Sequence, residues 1–484
     1  MNTVLHRDKV FFGLFAFLFV AAAGAAVYSE IYELTVFPFV LLLIIHGWQY
    51  RNGIFFLLLA MLPLSFEYHF AETLSTDVPD EFLMWLVAFL FFAGFLYQRD
   101  PRVPASLQHP VIVLFVLLLL WTAFAVLFSS HPLLSAKFLL AKGWYAVAFI
   151  LAPVMVLRDK KRIRLAAGIL SGVFSVVLVI IMVRHATVDF RFDAINEAVS
   201  PFFRNHVNYS AMLVCMIPVM LAFLSGSRSR GQQFLLSCLV ILALAALFFS
   251  YARGAWLAGI TGLLGYWLIR WRILLKIFIA VVIFCIASVF WLKQENRYLQ
   301  FAHDYQTTIY HKEFGEHLVA TYRLKDLSTA ERFYRWIAAV RMVKDYPLTG
   351  SGPGTFYYHY KSYAAPAFKT WVSDNPEKST VHNYFLLTLT EQGIPGLVLF
   401  LLLLGAILYY IQQLYHRVQD RFYKTAAMLT GVMLVMIITL NGLSDLVETD
   451  KIGSLFFLCL VMPVIISINT ANDSDPPTDI QRIP

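Results

Sequence analysis

Charge is what this sequence has least of. Asp, Glu, Lys and Arg make up 14% of its 484 residues, while 59% are hydrophobic and 16% aromatic, a balance that excludes a water-soluble globular domain of this length. Cysteine is scarce too. The four that occur, Cys215, Cys238, Cys285 and Cys459, lie in apolar runs and none belongs to a CxxC pair, which argues against a disulfide framework and against a cysteine-based zinc site. An HExxH sequence, paired histidines at metal-ligand spacing and Asp-rich motifs are all missing, so metal catalysis has no support. There is no internal repeat between the two halves and no low-complexity tract.

What the chain has in abundance is long apolar runs. About fourteen are long enough to cross roughly 30 Å of hydrocarbon, beginning near residues 10, 32, 54, 82, 110, 138, 164, 208, 233, 254, 273, 394, 425 and 453. The expected fold is therefore all-α: a polytopic transmembrane helical bundle of about 12 to 14 spans. The first run follows Arg7 and Lys9 but is too long for the apolar region of a signal peptide, and is read as a retained helix. The net charge of +8 reads as an orientation signal in such a chain, not as a nucleic-acid surface. Alternate loops carry Arg51, Arg99 and Arg102, the run 158–164, Arg228 and Arg230, Arg270 and Arg272, and Arg417, Arg421 and Lys424. These are the expected cytoplasmic loops, which places both termini in the cytoplasm. The loop at 67–82 has no Lys or Arg at all, as expected of the outer side.

Four segments follow: an N-terminal bundle of about 11 spans (1–292), a large outer loop (293–381), a short outer helix with the C-terminal spans (382–470), and a polar tail (471–484). The large loop holds 12 Lys and Arg against 9 Asp and Glu. Long translocated loops escape the charge rule, and an anionic ligand would explain the excess equally.

Within that loop, Ser328 and Glu331 have capping-box spacing and predict a helix from about 329 to 345. Trp336, Ala339, Val340 and Val343 form its expected apolar face, Arg332 and Arg335 sit one turn apart, and Pro347 with Gly350 ends it. The "GSGPG" that follows, with Gly350, Gly352 and Gly354, suits either a tight turn or a phosphate cradle. Arg253 stands alone between two apolar runs, where it either snorkels to lipid phosphates or binds an anion at the mouth of the bundle. Arg204, Asn205, His206 and Asn208 precede another span as caps or as site residues. His382 and Asn383 open a short helix reaching Gln392, with Gly393 as its stop and Pro395 starting the next span. Of these side chains, the imidazole is the one suited to take a proton at neutral pH.

The stretches "RFYRWIAAVRMVKDYPLTGSGPGTF" and "HNYFLLTLTEQGIPG" resemble the shared core of the O-antigen ligase and O-antigen polymerase family of bacterial inner-membrane glycosyltransferases. His382, Asn383, nine residues, then Gly393 and Gly396 fit its motif. "YARGAW" resembles the family's SRG-type segment with Ala252 in place of Ser, and "NHVNYSA" resembles its N-x-x-N-x-x-A stretch. The resemblance spans about residues 200–405. It implies a GT-C-like bundle whose mainly helical periplasmic loop closes over a lipid-facing cavity in the inner membrane. It implies His382 as general base and Arg253 and Arg332 on the pyrophosphate of an undecaprenyl-linked glycan donor, with Arg335 and then Arg204 in reserve. Asn383, Gly393, Gly396, Asn205, Asn208, Gly350 and Gly352 would support the site, and no cofactor is implied. The expected acceptor is the lipid A core, as in a ligase; a growing glycan or a protein would make the enzyme a polymerase or a protein O-oligosaccharyltransferase. From another class, a lipid or glycan transporter also has many spans and scattered arginines, though repeated halves would be expected of it.

Overall fold

Apolar runs become helices because a helix satisfies every backbone N–H and C=O within its own segment. The computed structural model describes residues 20–21, 37–71, 74–97, 100–302, 327–370, 373–375 and 379–474. The expected first span, residues 303–326 of the large loop and the tail beyond 474 lie outside them. Fourteen helices carry the description below: α1 (Phe37–Met61), α2 (Asp80–Tyr97), α3 (Pro110–Leu127), α4 (Pro132–Val156), α5 (Lys160–Ala186), α6 (His206–Gly226), α7 (Arg230–Phe249), α8 (Arg253–Arg270), α9 (Leu274–Lys293), α10 (Leu327–Met342), α11 (Phe356–Tyr363), α12 (Tyr384–Arg417), α13 (Arg421–Leu443) and α14 (Asp450–Ser474). Among the described residues, ten helices are long and apolar enough to cross a membrane. This is the all-α polytopic architecture expected. The strand pair Phe66–Ala71 and Leu74–Val78, antiparallel with Phe66 opposite Val78, is a small departure from it, inside the loop that lacks basic residues.

α8, expected as a span, is a helix but is not among the ten. Arginines close both of its ends, and Gly254, Gly259, Gly262 and Gly265 dilute it. Those small residues let α8 lie closely against α13. The two run antiparallel: Thr261 meets Thr439 at 2.8 Å, and Gly254 lies against Leu443. α13 also packs along α12, and α12 along α3. The C-terminal end of α13 is thus the point where α8 begins and where α12 is fastened.

α10 runs Leu327–Met342, near its expected place, but its buried face is different. Ala330, Tyr334, Arg335, Ala338, Ala339 and Met342 are buried, while Val340 and Val343 are only partly so. Glu331 is not a capping residue. Its carboxylate is buried, accepts from the Thr370 and Ser373 hydroxyls and pairs with Arg335, and the Ser328 side chain lies outside the described residues.

Candidate functional site

The head of α12 is held by hydrogen bonds on two sides. Asn383 is its N-cap, Oδ1 accepting from the Leu386 amide at 3.0 Å. The same side chain donates through Nδ2 to the Gly442 carbonyl at 2.9 Å, and the Tyr384 amide donates to the Ser444 carbonyl at 3.2 Å. These bonds join α12 to the end of α13. From the other side, Trp336 Nε1 donates to the Val381 carbonyl at 3.1 Å and Arg335 Nη1 to the Thr380 carbonyl at 3.0 Å. His382, between these ties, has φ +56°, a left-handed conformation that costs a residue with a β-carbon about 1–2 kcal/mol. Such strain persists where neighbours over-determine it.

The imidazole is 36% exposed, with Nδ1 3.7 Å from Asp445 Oδ1. That is an ion-pair separation, longer than a direct hydrogen bond. Burial works to raise the Asp445 carboxyl, but His382 and the Thr380 hydroxyl, which donates to Oδ2, outweigh it and hold the group below its ordinary value. An anion beside Nδ1 favours the tautomer protonated there and leaves the Nε2 lone pair as the basic position. Asp445 escaped the sequence reading. It lies 63 residues beyond His382 in "NGLSDLVETD", and no local spacing links the two.

Arg253 begins α8. Ala252 offers no side-chain cap, and the first turn contains no acidic residue. A cation at the positive end of a helix dipole is unfavourable by itself, so the position concentrates positive potential and suits an anion. Tyr251 at φ +56° turns the chain into the helix, its hydroxyl donating to the Phe190 carbonyl at 2.6 Å. Because Gly254 lies against Leu443, Arg253 arrives at the same end of α13 that Asp445 follows. Arg332 shares a face of α10 with Arg335 and Trp336, at positions i, i+3 and i+4. Those two reach Thr380 and Val381, which sets Arg332 one turn back on the side turned to the His382 segment.

Other expected members have partners within the fold. Arg335 is 5% exposed, with Nη1 on the Thr380 carbonyl and Nη2 on Glu331, so it holds the segment before His382. Arg204 is bound to Glu67 through both Nε (2.8 Å) and Nη2 (3.0 Å), so its charge already has a carboxylate. Asn205 caps α6, accepting the amides of Val207 and Asn208 at 3.0 Å each.

The glycine loop is a cradle, but for an anion of the chain itself. Glu391, 3% exposed, accepts the Gly354 amide on Oε2 at 2.8 Å and the Phe356 amide on Oε1 at 3.0 Å. The Ser351 and Gly352 amides donate to the Thr390 and Glu391 carbonyls. A β-carbon on Gly350 would lie 2.2 Å from the Glu391 carbonyl carbon, so the backbones touch. Gly350 and Gly352 therefore dock the loop onto α12. The joint continues at Gly393, φ +71° and ψ −174°, which breaks α12 after Gln392. Ile394 N donates to the Pro347 carbonyl at 2.9 Å, Trp121 Nε1 to the Gln392 carbonyl at 2.8 Å, and Thr122 to Gln392 Oε1 at 2.8 Å. A β-carbon on Gly396 would lie 2.5 Å from Gln392 Cβ and in ordinary contact with the Trp121 ring at 3.4 Å.

Residues 238–401, about a third of the chain, match the family model described as O-antigen ligase. The match takes in Arg253, Arg332, His382 and the Gly393 joint. No curated protein matches the chain at a significant level.

Proposed function

We propose, from the match of residues 238–401 to the O-antigen ligase family model, a specific reaction within the general O-antigen ligase- and polymerase-like function which that family supports. The protein is a multi-pass membrane glycosyltransferase that moves a glycan from an undecaprenyl-pyrophosphate carrier to an acceptor hydroxyl at the periplasmic face, the acceptor being the lipid A core. The observation that carries this reading is the His382–Asp445 pair beside the α8 N-terminus that bears Arg253.

The donor already has a good leaving group. What the reaction lacks is a deprotonated acceptor and neutralisation of charge on the departing pyrophosphate. His382 Nε2 takes the proton from the acceptor hydroxyl. Its oxygen forms a bond to the anomeric carbon from the side opposite the carrier, the bond from that carbon to the phosphate oxygen breaks, and the configuration inverts. Asp445, at Nδ1, stabilises the imidazolium formed in this step. Arg253 and Arg332 receive the growing charge on the pyrophosphate through planar N–H donors, so the step needs no divalent cation.

The test is glycan transfer by purified protein given a lipid-linked donor and, in turn, lipid A core, free glycan or protein acceptor. His382→Ala should abolish transfer while the chain still folds and inserts, and chelator should have no effect. Undiminished transfer by that variant would remove the base assignment, and strong inhibition by EDTA would overturn the metal-independent step. Transfer only to a growing glycan would make the protein a polymerase.

A further inference from the structure

We propose that an apolar groove between α6, α7, α8 and α13 seats an anionic phospholipid, with its phosphate on Arg421 and Lys424. The groove has a volume of about 910 Å³ and walls such as Leu221, Phe248, Leu263 and Val432. The charged side chains lining it are two, Arg421 and Lys424, and both stand within the first turn of α13, so they lie together at one end. Tyr415 joins them, its ring centroid 5.0 Å from Lys424 Nζ.

The acid next in sequence does not neutralise this pair. Asp420 caps α13 through the amides of Phe422 and Tyr423 and binds Lys160 Nζ at 2.5 Å. Among the described residues, neither Arg421 nor Lys424 forms an ion pair. An apolar trough with two uncompensated cations at its mouth is complementary to an amphipathic anion. A zwitterionic lipid would bring a balancing cation of its own, so the fit is to a headgroup of net negative charge, gripped by the guanidinium fork and the ammonium.

The phosphate end of this groove is separate from the transfer site, while its wall runs up to Trp256, one turn from Arg253. Arg421 and Leu443 are the two ends of α13, about 33 Å apart at 1.5 Å per residue. A phosphate on Arg421 is thus a membrane thickness away from Arg253 and His382, and belongs to the opposite leaflet.

The experiment uses the full chain, delipidated in detergent and titrated with phosphatidylglycerol or phosphatidylcholine of identical acyl chains, with binding read by native mass spectrometry and by the shift in thermal midpoint. Phosphatidylglycerol should bind at least tenfold more tightly, and the double variant Arg421→Gln/Lys424→Gln should lose that preference while binding phosphatidylcholine as before. If the double variant does not fold, Lys424→Gln alone carries the test, with a smaller loss in the same direction. Equal binding of the two lipids by the parent chain, or unchanged preference in the variants, would overturn the proposal. So would an equal shift from inorganic phosphate. Displacement by polyprenyl phosphate that depends on Arg253 and not on Arg421 would assign the groove to the glycan carrier instead.

Discussion

Replacing Gly393 with alanine should undock the glycine loop from α12. At φ +71° and ψ −174° the residue occupies a region essentially reserved for glycine, and forcing a side chain there costs about 1–3 kcal/mol. Space is the second obstacle. The new β-carbon would stand 1.9 Å from the Leu348 carbonyl oxygen and 3.0 Å from that of Pro347, and both are backbone atoms that cannot rotate away. The Pro347–Leu348 segment must withdraw, breaking the Ile394 to Pro347 hydrogen bond and straining the bonds that the Gly354 and Phe356 amides donate to Glu391. Each such bond is worth about 1 kcal/mol, and those to a carboxylate about 1.5–3 kcal/mol. With the strain and the Ile394 bond counted in full and about half of each carboxylate bond, the penalty is about 4–7 kcal/mol, which is roughly a thousandfold or more in the equilibrium for local opening. Hydrogen exchange at the Ser351, Gly352, Gly354 and Phe356 amides reads that equilibrium directly. In the variant these amides should exchange at least a hundredfold faster, and glycan transfer should fall with them. Gly53→Ala is the control, since nothing lies within 4 Å of its added carbon. Parent-like exchange at these four amides in folded Gly393→Ala protein would refute the role given to the joint.

Glu391→Gln should loosen the same loop by about 2–4 kcal/mol, because one oxygen becomes an amide NH₂ facing a backbone N–H; a thermal midpoint and exchange pattern equal to the parent's would contradict this. Asp445→Asn should slow transfer about tenfold with little change in acceptor KM: a charge pair at 3.7 Å is worth about 4 kcal/mol in a partly buried setting, reduced to about 1–2 kcal/mol by the exposure of His382. An unchanged kcat in that variant would remove Asp445 from the mechanism. The carboxyl of Asp445 is held below its ordinary value, so the stability it contributes is complete above the usual carboxylate range and is lost only as pH falls through the lowered value. A thermal-midpoint series carried to acid should therefore show the loss from protonating Asp445 only below the usual carboxylate range, and an Asp445-dependent acid loss already complete within that range would show the sign to be wrong. Arg253→Gln should raise the donor KM and lower kcat, while Arg253→Lys restores charge but not the bidentate grip and recovers only part of the loss; full activity in the glutamine variant would exclude a donor contact.

The helix from Tyr384 to Gln392 and its stop at Gly393 were legible in the sequence, because an Asn cap and a glycine terminator act on their immediate neighbours. Arg253 was legible as a lone charge between apolar runs. Asp445 was not, since its relation to His382 exists only after α12 and α13 have packed. The partners of Arg335 were hidden for a related reason: a cation on an amphipathic helix reads as solvated until a carbonyl and a carboxylate from the fold close around it. The glycine loop left open a tight turn or a cradle of backbone amides. Which anion they would meet depended on Glu391, whose place in "TEQG" looked like an ordinary polar helix end.

Seen as mechanics, an unbroken helix from Tyr384 to Arg417 would be a single 34-residue rod, and any rocking of its lipid-borne half would swing the imidazole at its tip through a wide arc. The cut at Gly393 shortens that lever to nine residues, about 13 Å, and the short arm is bolted to α13, α10 and α3 by the bonds at Asn383, Thr380, Val381 and Gln392. A bilayer can thin, thicken or tilt the long arm without re-aiming the base.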